Sequence, residues 1–579
     1  MKAIELYVAV ALFTAAGIAV PPSAARADGV PREERARCSE RLSRILESTG
    51  SRERLKLWIY FRDHGSFSTA AETGLSKRSL RRRRIRSAAM IDSHDLPVDP
   101  YYISSVRARA VELRHVSRYL NAVSALVDLS DVAGLSRLPF VEYIDIVETY
   151  RRVPLQGGDL TSAGVPLGTK TQIYGGSFDQ LDQIDVVPLL ELGYNGSGAV
   201  SGSDPILVCV MDTGFRLDHE ALAHVNVVAR YDFVQGDTIV HNQDEDHPEQ
   251  DKHGTIVLGA LAGYHEGDLV GPAWGADFLL AKTEIYGTEI EIEEDNWVAG
   301  IEWADSAGAD VVSSSLGYVD WYTPGMLDGD TPLCTRIADI AAGHGIVVVT
   351  AMGNEGAAGD TTLIAPADGD SVISVGAVAR DGLIAYFSSR GPTADGRIKP
   401  DLVALGVGTY SAEYPTIDSY AAYSGTSMST PLIAGLCVQL LEIQPALTPI
   451  SLRELLTSTA SRSDSPGNVY GYGLPDGAIA SGLDIDLGPD TILLGGAYPN
   501  PFRSRVRFDL GIPEGERVTV RVFDCRGALV KAFSVDSATG DGFAWDGTNA
   551  GGLDVAAGLY FVRFTGRYFD RTVKVLLIR

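Results

Sequence analysis

Apolar positions in the first quarter of the chain come in short bursts whose spacing changes from segment to segment. Leu57 to Phe61 is an aromatic-rich run of the strand kind, and Tyr119 to Val127 reads as another. Between them, Val106 to Val116 has helix-like spacing. Asp131 is placed to cap a short helix through Leu138, and Phe140 to Ile146 closes with alternating apolar residues. That β-α-β-α-β order predicts a small two-layer α+β domain. Ahead of it, Lys2 precedes an apolar run from Leu6 to Val20, then Pro21-Pro22 and Ala24-Ala25-Arg26-Ala27. A run of about 15 apolar residues is short of the ~20 that span a bilayer, so it predicts a signal peptide cut after Ala27.

The pattern then changes twice. Ile206 to Met211, Phe278 to Ala281, Val311 to Ser314 and Ile346 to Thr350 are short, continuous apolar runs of the buried-strand kind. Helix-type stretches such as Asn296 to Ala307 and Arg336 to Ala342 lie between or after them. This alternation predicts an α/β domain with a doubly wound parallel sheet, whose chemistry belongs at the carboxyl ends of the strands. From about Gly488, Val506–Leu510, Val518–Phe523, Leu529–Phe533, Leu559–Phe564 and Thr572–Leu577 read as short strands between turn-rich pieces such as Pro513 to Glu516, which predicts a β-sandwich.

Charge sharpens the division. Residues 28 to 153 hold 23 basic against 17 acidic side chains, and residues 154 to 579 hold 24 against 57. A basic segment followed by an acidic body suggests two parts that attract each other. The net charge of -26 opposes nucleic-acid binding. Five cysteines in 579 residues make no disulfide framework, and Cys209 and Cys437 read as small core residues. The run Arg81 to Arg84 admits a nucleic-acid or nuclear signal, but in an exported chain a solvated loop or a protease-sensitive spot is the stronger reading. The acidic stretch Asp244, Glu245, Asp246, Glu249 and Asp251 is a candidate for structural calcium, with a merely solvated loop the stronger reading.

The chemistry rests on four motifs. Asp212 follows a strand in Asp212-Thr213-Gly214; alone it is a strand end, or half of an aspartic-protease pair whose second member is missing. His253 opens His253-Gly254-Thr255 before the apolar helical run Ile256 to Ala262. Ser427 sits in Gly425-Thr426-Ser427-Met428-Ser429-Thr430-Pro431 before the helical run Leu432 to Leu441, with Pro431 expected in the first turn. A serine hydroxyl becomes a nucleophile when a base takes its proton and a carboxylate fixes the base's tautomer. Asn354, in Gly353-Asn354-Glu355-Gly356 past the strand Ile346–Thr350, offers a side-chain amide to an oxyanion. The chain order Asp, His, Ser excludes the orders of chymotrypsin and of the α/β-hydrolases.

Together these motifs resemble the subtilisin family of serine proteases over roughly residues 170 to 485. The resemblance implies that Asp212 orients the base, His253 is the general acid/base, Ser427 is the nucleophile, and Asn354 with the Ser427 N–H forms the oxyanion hole. It also implies that Ser315-Leu316-Gly317, with Gly353 nearby, binds an extended peptide by strand pairing. No cofactor is expected for the chemistry. Glu355 at the pocket rim and Ile364 as a narrowing residue are the specificity expectations. The basic segment is similar to the family's inhibitory, ferredoxin-like prosegment through Tyr119 to Ala125 and Phe140 to Ile144, with a cut expected between about 148 and 175, Arg151-Arg152 included. Ala497-Tyr498-Pro499-Asn500-Pro501-Phe502, Trp545-Asp546-Gly547 and Ala557 to Tyr560 resemble sorting domains of bacterial type IX secretion and the immunoglobulin-like domain of flagellar hook-cap proteins, although Arg503-Ser504-Arg505 departs from that pattern. The expected division is a signal peptide 1–27, prosegment 28–153, peptidase domain 154–487 and sandwich 488–579. The chain is read as a secreted or cell-surface endopeptidase acting on proteins or peptides, activated by removal of its own prosegment and without a transmembrane anchor once the signal is removed. The rival readings are a catalytically silent adhesin or scaffold, and an esterase.

Overall fold

The computed structural model describes residues 37–48, 54–65, 73–147, 169–287, 292–319, 321–359, 361–483, 493–512, 517–536, 542–566 and 570–579. The signal peptide, Arg151-Arg152, the turn Pro513 to Glu516 and the junction at Gly488 lie outside these residues. Two compact units emerge, one from Met1–Ser66, Val98–Val116 and Asn121–Val147, the other from Phe67–Pro97, Ser117–Leu120 and Glu148–Arg579.

The N-terminal elements are α1 (Glu40–Ser48), β1 (Arg54–Phe61), α2 (Lys77–Arg86), α3 (Pro100–Arg107), β2 (Glu112–Ser117), β3 (Ala122–Asp128), α4 (Val132–Ser136) and β4 (Val141–Val147). Of these, α2 belongs to the second unit. The sheet order is β2-β3-β1-β4, with β1 antiparallel to both β3 and β4. This is the β-α-β-β-α-β arrangement of a ferredoxin-like layer. Leu57, Ile59, Val106, Val123, Ala125 and Ile144 close its core.

Two expectations change here. The stretch 106–116 is not one helix. Asp99 caps α3 by accepting from the Tyr101 N–H, and Pro100 at the first helical position starts the helix early. The chain then turns into β2, whose residues Glu112-Leu113-Arg114-His115-Val116-Ser117 are too polar to read as a buried strand. The second correction is α2: the arginine run is a helix, not a solvated loop, with Arg82, Arg83 and Arg86 buried.

In the second unit, β5 (Leu207–Asp212), β6 (Asn226–Asp232), α5 (Lys252–Ala262), β7 (Asp277–Lys282), α6 (Ile292–Ala307), β8 (Val311–Ser314), α7 (Leu333–Gly343), β9 (Val347–Ala351), β10 (Ile373–Val378), β11 (Leu402–Leu405) and α8 (Thr426–Ile443) follow in order. The seven strands form a sheet in the order β11-β10-β9-β8-β5-β7-β6. Every ladder in it is parallel. Crossover helices exclude water from its faces, which is why β5, β8, β9 and β10 are buried at every position. Helix α8 is long and apolar enough to span a membrane by composition, yet 89% of it is buried as the core helix of this domain.

The C-terminal strands β12 (Leu493–Tyr498), β13 (Val506–Gly511), β14 (Arg517–Asp524), β15 (Leu529–Asp536), β16 (Phe543–Trp545), β17 (Gly558–Thr565) and β18 (Asp570–Leu577) form a three-stranded sheet, β12-β13-β16, and a four-stranded one, β15-β14-β17-β18. Both are antiparallel and share one core of Phe502, Phe508, Val520, Trp545 and Phe564. Asn500 fastens this end, donating to the Lys574 carbonyl at 2.9 Å and accepting from the Leu576 N–H at 2.9 Å.

Candidate active site

Three elements end or begin at the carboxyl edge of the parallel sheet. Asp212 is the last residue of β5, Ser315 follows β8, and Asn354 lies three residues past β9. Helix α5 starts beside Asp212 and carries His253 in its first turn. Gly254 makes that approach feasible: a Cβ there would lie 2.2 Å from the Gly214 carbonyl oxygen and 2.9 Å from Asp212 Cβ. The His-Gly-Thr spacing therefore has a packing reason as well as a chemical one.

Asp212 is fully buried. Its Oδ1 accepts from His253 Nδ1 at 2.7 Å, from the Thr213 N–H at 2.7 Å and from Thr213 Oγ1 at 3.2 Å. Its Oδ2 is buried without a hydrogen-bond partner. The carboxylate can accept only from an Nδ1–H, so it selects the tautomer that leaves Nε2 as the basic nitrogen. Burial alone would lower the imidazole pKa, but the charge of Asp212 and its hydrogen bond outweigh that and hold it above the ordinary 6.5. The His253 side chain remains 36% exposed, and Nε2 has no partner among the described residues.

Ser427 is the second residue of α8. Its Oγ donates to the Ser315 carbonyl at 3.3 Å, not to His253, while Ser315 Oγ donates to the Ser427 carbonyl at 2.9 Å. Reciprocal bonds thus tie the end of β8 to the start of α8. The serine and histidine helices meet through a small apolar cluster, Met428 against Ile256 and Ala260. A proton-transfer contact with His253 requires the hydroxyl to leave that carbonyl; such bonds commonly form or tighten only when substrate binds.

Asn354 is oriented by its acceptor. Its Oδ1 accepts from the Thr426 N–H at 2.9 Å and Thr426 Oγ1 at 3.1 Å. A backbone N–H can only donate, so the amide oxygen is fixed there and Nδ2 is turned the other way. The point where a Gly425 Cβ would sit lies 3.7 Å from Asn354 Nδ2 and 3.7 Å from the Ser427 amide nitrogen. Two donors thus flank one small space at the start of a helix, where the dipole favours an anion. Thr213 and Thr426, which orient the acid and the amide, were not singled out in the sequence, although both sit inside the quoted motifs.

Beyond β8, the backbone of Leu316 and Gly317 makes no hydrogen bond among the described residues, and Tyr318 then pairs with Ala365. Ile364 is buried between two glycines: a Cβ on Gly317 would lie 2.3 Å from its Cδ1, and one on Gly353 3.0 Å from its Cγ2. Glu355 donates its N–H to Ser389 Oγ at 2.9 Å.

The acidic loop is organised by the chain's own donors. Lys282 Nζ lies 2.7 Å from Asp246 Oδ2 and 2.8 Å from Asp232 Oδ2, Glu249 meets Lys252 and Tyr286, and Asp251 Oδ2 accepts from the Asn242 N–H. An ammonium bridges the inner carboxylates where a calcium cage would need them turned toward one centre, so this donor set does not fit a preformed site. None of the five cysteines forms a disulfide, and Cys209, Cys334 and Cys437 lie in the second unit's interior.

Residues 203–473 match the Subtilase family, and residues 56–158 match the propeptide domain of peptidase S8 from Bacteroidota. Subtilisin E of Bacillus subtilis (strain 168) is 32% identical over 365 residues, which cover 62% of this chain and 79% of that protein. Subtilisin of Bacillus pumilus is 35% identical over 302 residues, covering 51% of this chain and 94% of the relative. Serine protease AprX of Bacillus subtilis (strain 168) is 31% identical over 299 residues, 46% of this chain and 64% of its own length. On the parallel sheet, the four motifs at its carboxyl edge and these relatives, the chain belongs to the subtilase family of serine proteases.

Proposed function

We propose that the chain is an exported serine endopeptidase in which Ser427 is the nucleophile, His253 the general acid/base and Asp212 the group that orients it. The peptide backbone pairs with Ser315-Leu316-Gly317, where the N–H and C=O groups of Leu316 and Gly317 carry no hydrogen bond among the described residues and suit strand addition. Ser427 Oγ gives its proton to His253 Nε2 and attacks the carbonyl carbon. The oxyanion accepts from Asn354 Nδ2 and the Ser427 N–H. His253 then protonates the leaving amine, and a water deprotonated by His253 hydrolyses the acyl-enzyme. No step calls on a metal. Ile364 between Gly317 and Gly353 supports a pocket for a small side chain before the scissile bond.

The reading extends to processing. Residues 1–27 are a signal peptide, 28–153 a prosegment removed after a cut between about 148 and 175, 154–487 the peptidase domain, and 488–579 an immunoglobulin-like sandwich that serves type IX sorting. The product is secreted or held at the cell surface. The observation that carries the proposal is the 2.7 Å bond from His253 Nδ1 to a fully buried carboxylate while Nε2 stays open. A silent scaffold has no need to keep that bond together with an amide oriented as Asn354 is. In the processed enzyme, Ser427→Ala should lower peptide turnover by about 10⁶, the loss known for the same change in a subtilisin. During expression in a protease-deficient host the same variant should stay uncut. Turnover near the wild-type level would end the proposal.

A further inference from the structure

A second concentration of charge lies at the opposite edge of the parallel sheet from Asp212. There β5, β7 and β8 begin, at Leu207, Asp277 and Val311, and α6, α7 and α8 end, at Ala307, Gly343 and Ile443. The last carbonyls of a helix have no intrahelical partner, and its C-terminal end carries partial negative charge. Three such ends gather here with the carboxylates of Asp277, Asp305 and Asp310. On its own this floor is a cluster of acceptors with few donors.

Helix α2 supplies the donors. Ser76 Oγ donates to the Ala307 carbonyl at 2.8 Å and Ser87 Oγ to the Gly343 carbonyl at 2.8 Å, so the two ends of α2 are each fastened to the end of another helix. Arg78, Arg82 and Arg86 recur every four residues and so share one face, with Arg83 beside them. Arg82 donates to the Ala309 and His344 carbonyls at 2.6 and 3.1 Å and pairs with Asp305 Oδ1. Arg83 bridges Asp305 Oδ2 at 2.6 Å and Asp95 Oδ2 at 2.5 Å. Arg86 meets Asp310 Oδ1 at 2.9 Å and the Pro445 carbonyl at 2.8 Å. Arg78 reaches Asp310 Oδ2 at 3.3 Å and Asp277 Oδ2 at 3.4 Å. Arg81 and Arg84, off this face, are exposed. Asp310 is part of the sheet in its own right, since its Oδ2 accepts from the Leu207 N–H at 3.0 Å. The receptor is therefore built into the peptidase fold and does not depend on α2 for its existence.

Exposed ion pairs contribute little, but the Arg82–Asp305 and Arg83–Asp305 pairs are at most 1% exposed on either side. Removing one member of such a pair leaves the other charge buried and uncompensated. We infer that this floor is a receptor for an arginine helix, and that segment 73–97 stays on the peptidase domain as a non-covalent subunit after the chain is cut, held through Arg82, Arg83 and Arg86 at a site remote from the catalytic residues. This rests on the reading that the N-terminal part is a prosegment excised by a cut beyond residue 147. It adds that the arginine contacts of α2, at the edge of the sheet away from the catalytic residues, limit how fast the cut piece leaves.

The test uses the full chain carrying Ser427→Ala and a recognition sequence for a sequence-specific protease placed between residues 148 and 168. After that cut, the two pieces should co-elute in gel filtration. Arg82→Gln/Arg83→Gln/Arg86→Gln should make the N-terminal piece leave about 100-fold faster on dilution. Release at the unchanged rate would overturn the inference. Should the triple variant not accumulate as folded protein, a labelled synthetic peptide of residues 73–97 is titrated onto processed wild-type enzyme from which the N-terminal piece has been stripped. It should bind saturably, weaken at least about tenfold when the same three arginines are Gln, and leave turnover of a short peptide substrate unchanged. No binding, or equal binding of the Gln peptide, would overturn the inference. If the prosegment reading itself is wrong, the wild-type chain purifies uncut; a cut chain whose release ignores the arginines refutes this inference alone.

Discussion

Two aspartate–histidine pairs of the second unit, one at each edge of the parallel sheet, look alike on paper and differ in what surrounds them. At the carboxyl edge of the sheet, His253 Nδ1 lies 2.7 Å from Asp212 Oδ1. At the opposite edge, His344 Nδ1 lies 3.2 Å from Asp305 Oδ2. His344 is 3% exposed on its side chain, shares Nδ1 with Arg83 at 2.8 Å and Tyr119 at 3.1 Å, and has Asp92 Oδ2 3.2 Å from Nε2. Asp305 is equally crowded, receiving Arg82, Arg83, Arg118 and Tyr119. Asp212 receives donors on one oxygen only, and His253 keeps its Nε2 face open. Contact between carboxylate and imidazole is common to both pairs. What separates the pair proposed as reactive from the crowded one is the nitrogen left unoccupied.

That contrast breaks most sharply at Asp212. Asp212→Asn should cost the processed enzyme about 10⁴ in kcat, because an amide can donate to Nδ1 and present the wrong tautomer to Ser427. A loss below tenfold would mean the pair has no tautomer-setting role. Next in size, Asn354→Leu should lower kcat by about 10²–10³ with KM little changed, since the amide would act on an oxyanion absent from the ground state. A change confined to KM would remove Asn354 from the oxyanion hole.

The pH profile tests the electrostatic half of the comparison. His253 must be neutral to act as base, and Asp212 holds its pKa above 6.5. The acid limb of kcat/KM should therefore have its midpoint above 6.5 and the rate should rise through it. Stability should move the opposite way. A folded-state pKa above the unfolded one stabilises below the unfolded value, and that contribution is lost as pH rises through the folded pKa. A midpoint at or below 6.5 would contradict the assigned role of Asp212. The smallest effect is expected at His344. His344→Gln should leave turnover of the processed enzyme within about twofold while destabilising the uncut Ser427→Ala chain by about 1–3 kcal/mol, read by denaturant unfolding, because buried donors and acceptors lose their partner. A large loss of turnover would mean the crowded pair is not merely structural.

The placement of the four candidate residues was legible in the sequence because each of its parts is local: a strand end at Asp212, a helix start at His253, a helix start at Ser427, and a turn at Asn354. The buried strands β5, β7, β8 and β9 announced themselves as apolar runs. Strand β6 did not, because Asn226 to Asp232 alternates between exposed and half-buried positions at the sheet edge. Strand β10 carries Ser374 and Gly376 among its apolar residues, and β11 has only four residues. The arginine run was misread for a different reason. Nothing near Arg82 in the chain forecasts that Asp305, Ala309 and His344, more than 220 positions on, supply its acceptors. A charge run looks solvated until the partners that bury it are brought together by folding. The sandwich strands β12 and β16 escaped notice for lack of length or of alternation, as in Leu493-Leu494-Gly495-Gly496 and the three residues of β16.

The central claim is that the hydroxyl at the start of α8 is the group made nucleophilic. Peptide mapping by mass spectrometry after reaction of the processed enzyme with a fluorophosphonate tests it most directly. The account predicts one stoichiometric adduct on Ser427, formed more slowly as pH falls below the His253 titration and absent in Ser427→Ala. A stoichiometric adduct on any other residue, or labelling that survives Ser427→Ala, would contradict it.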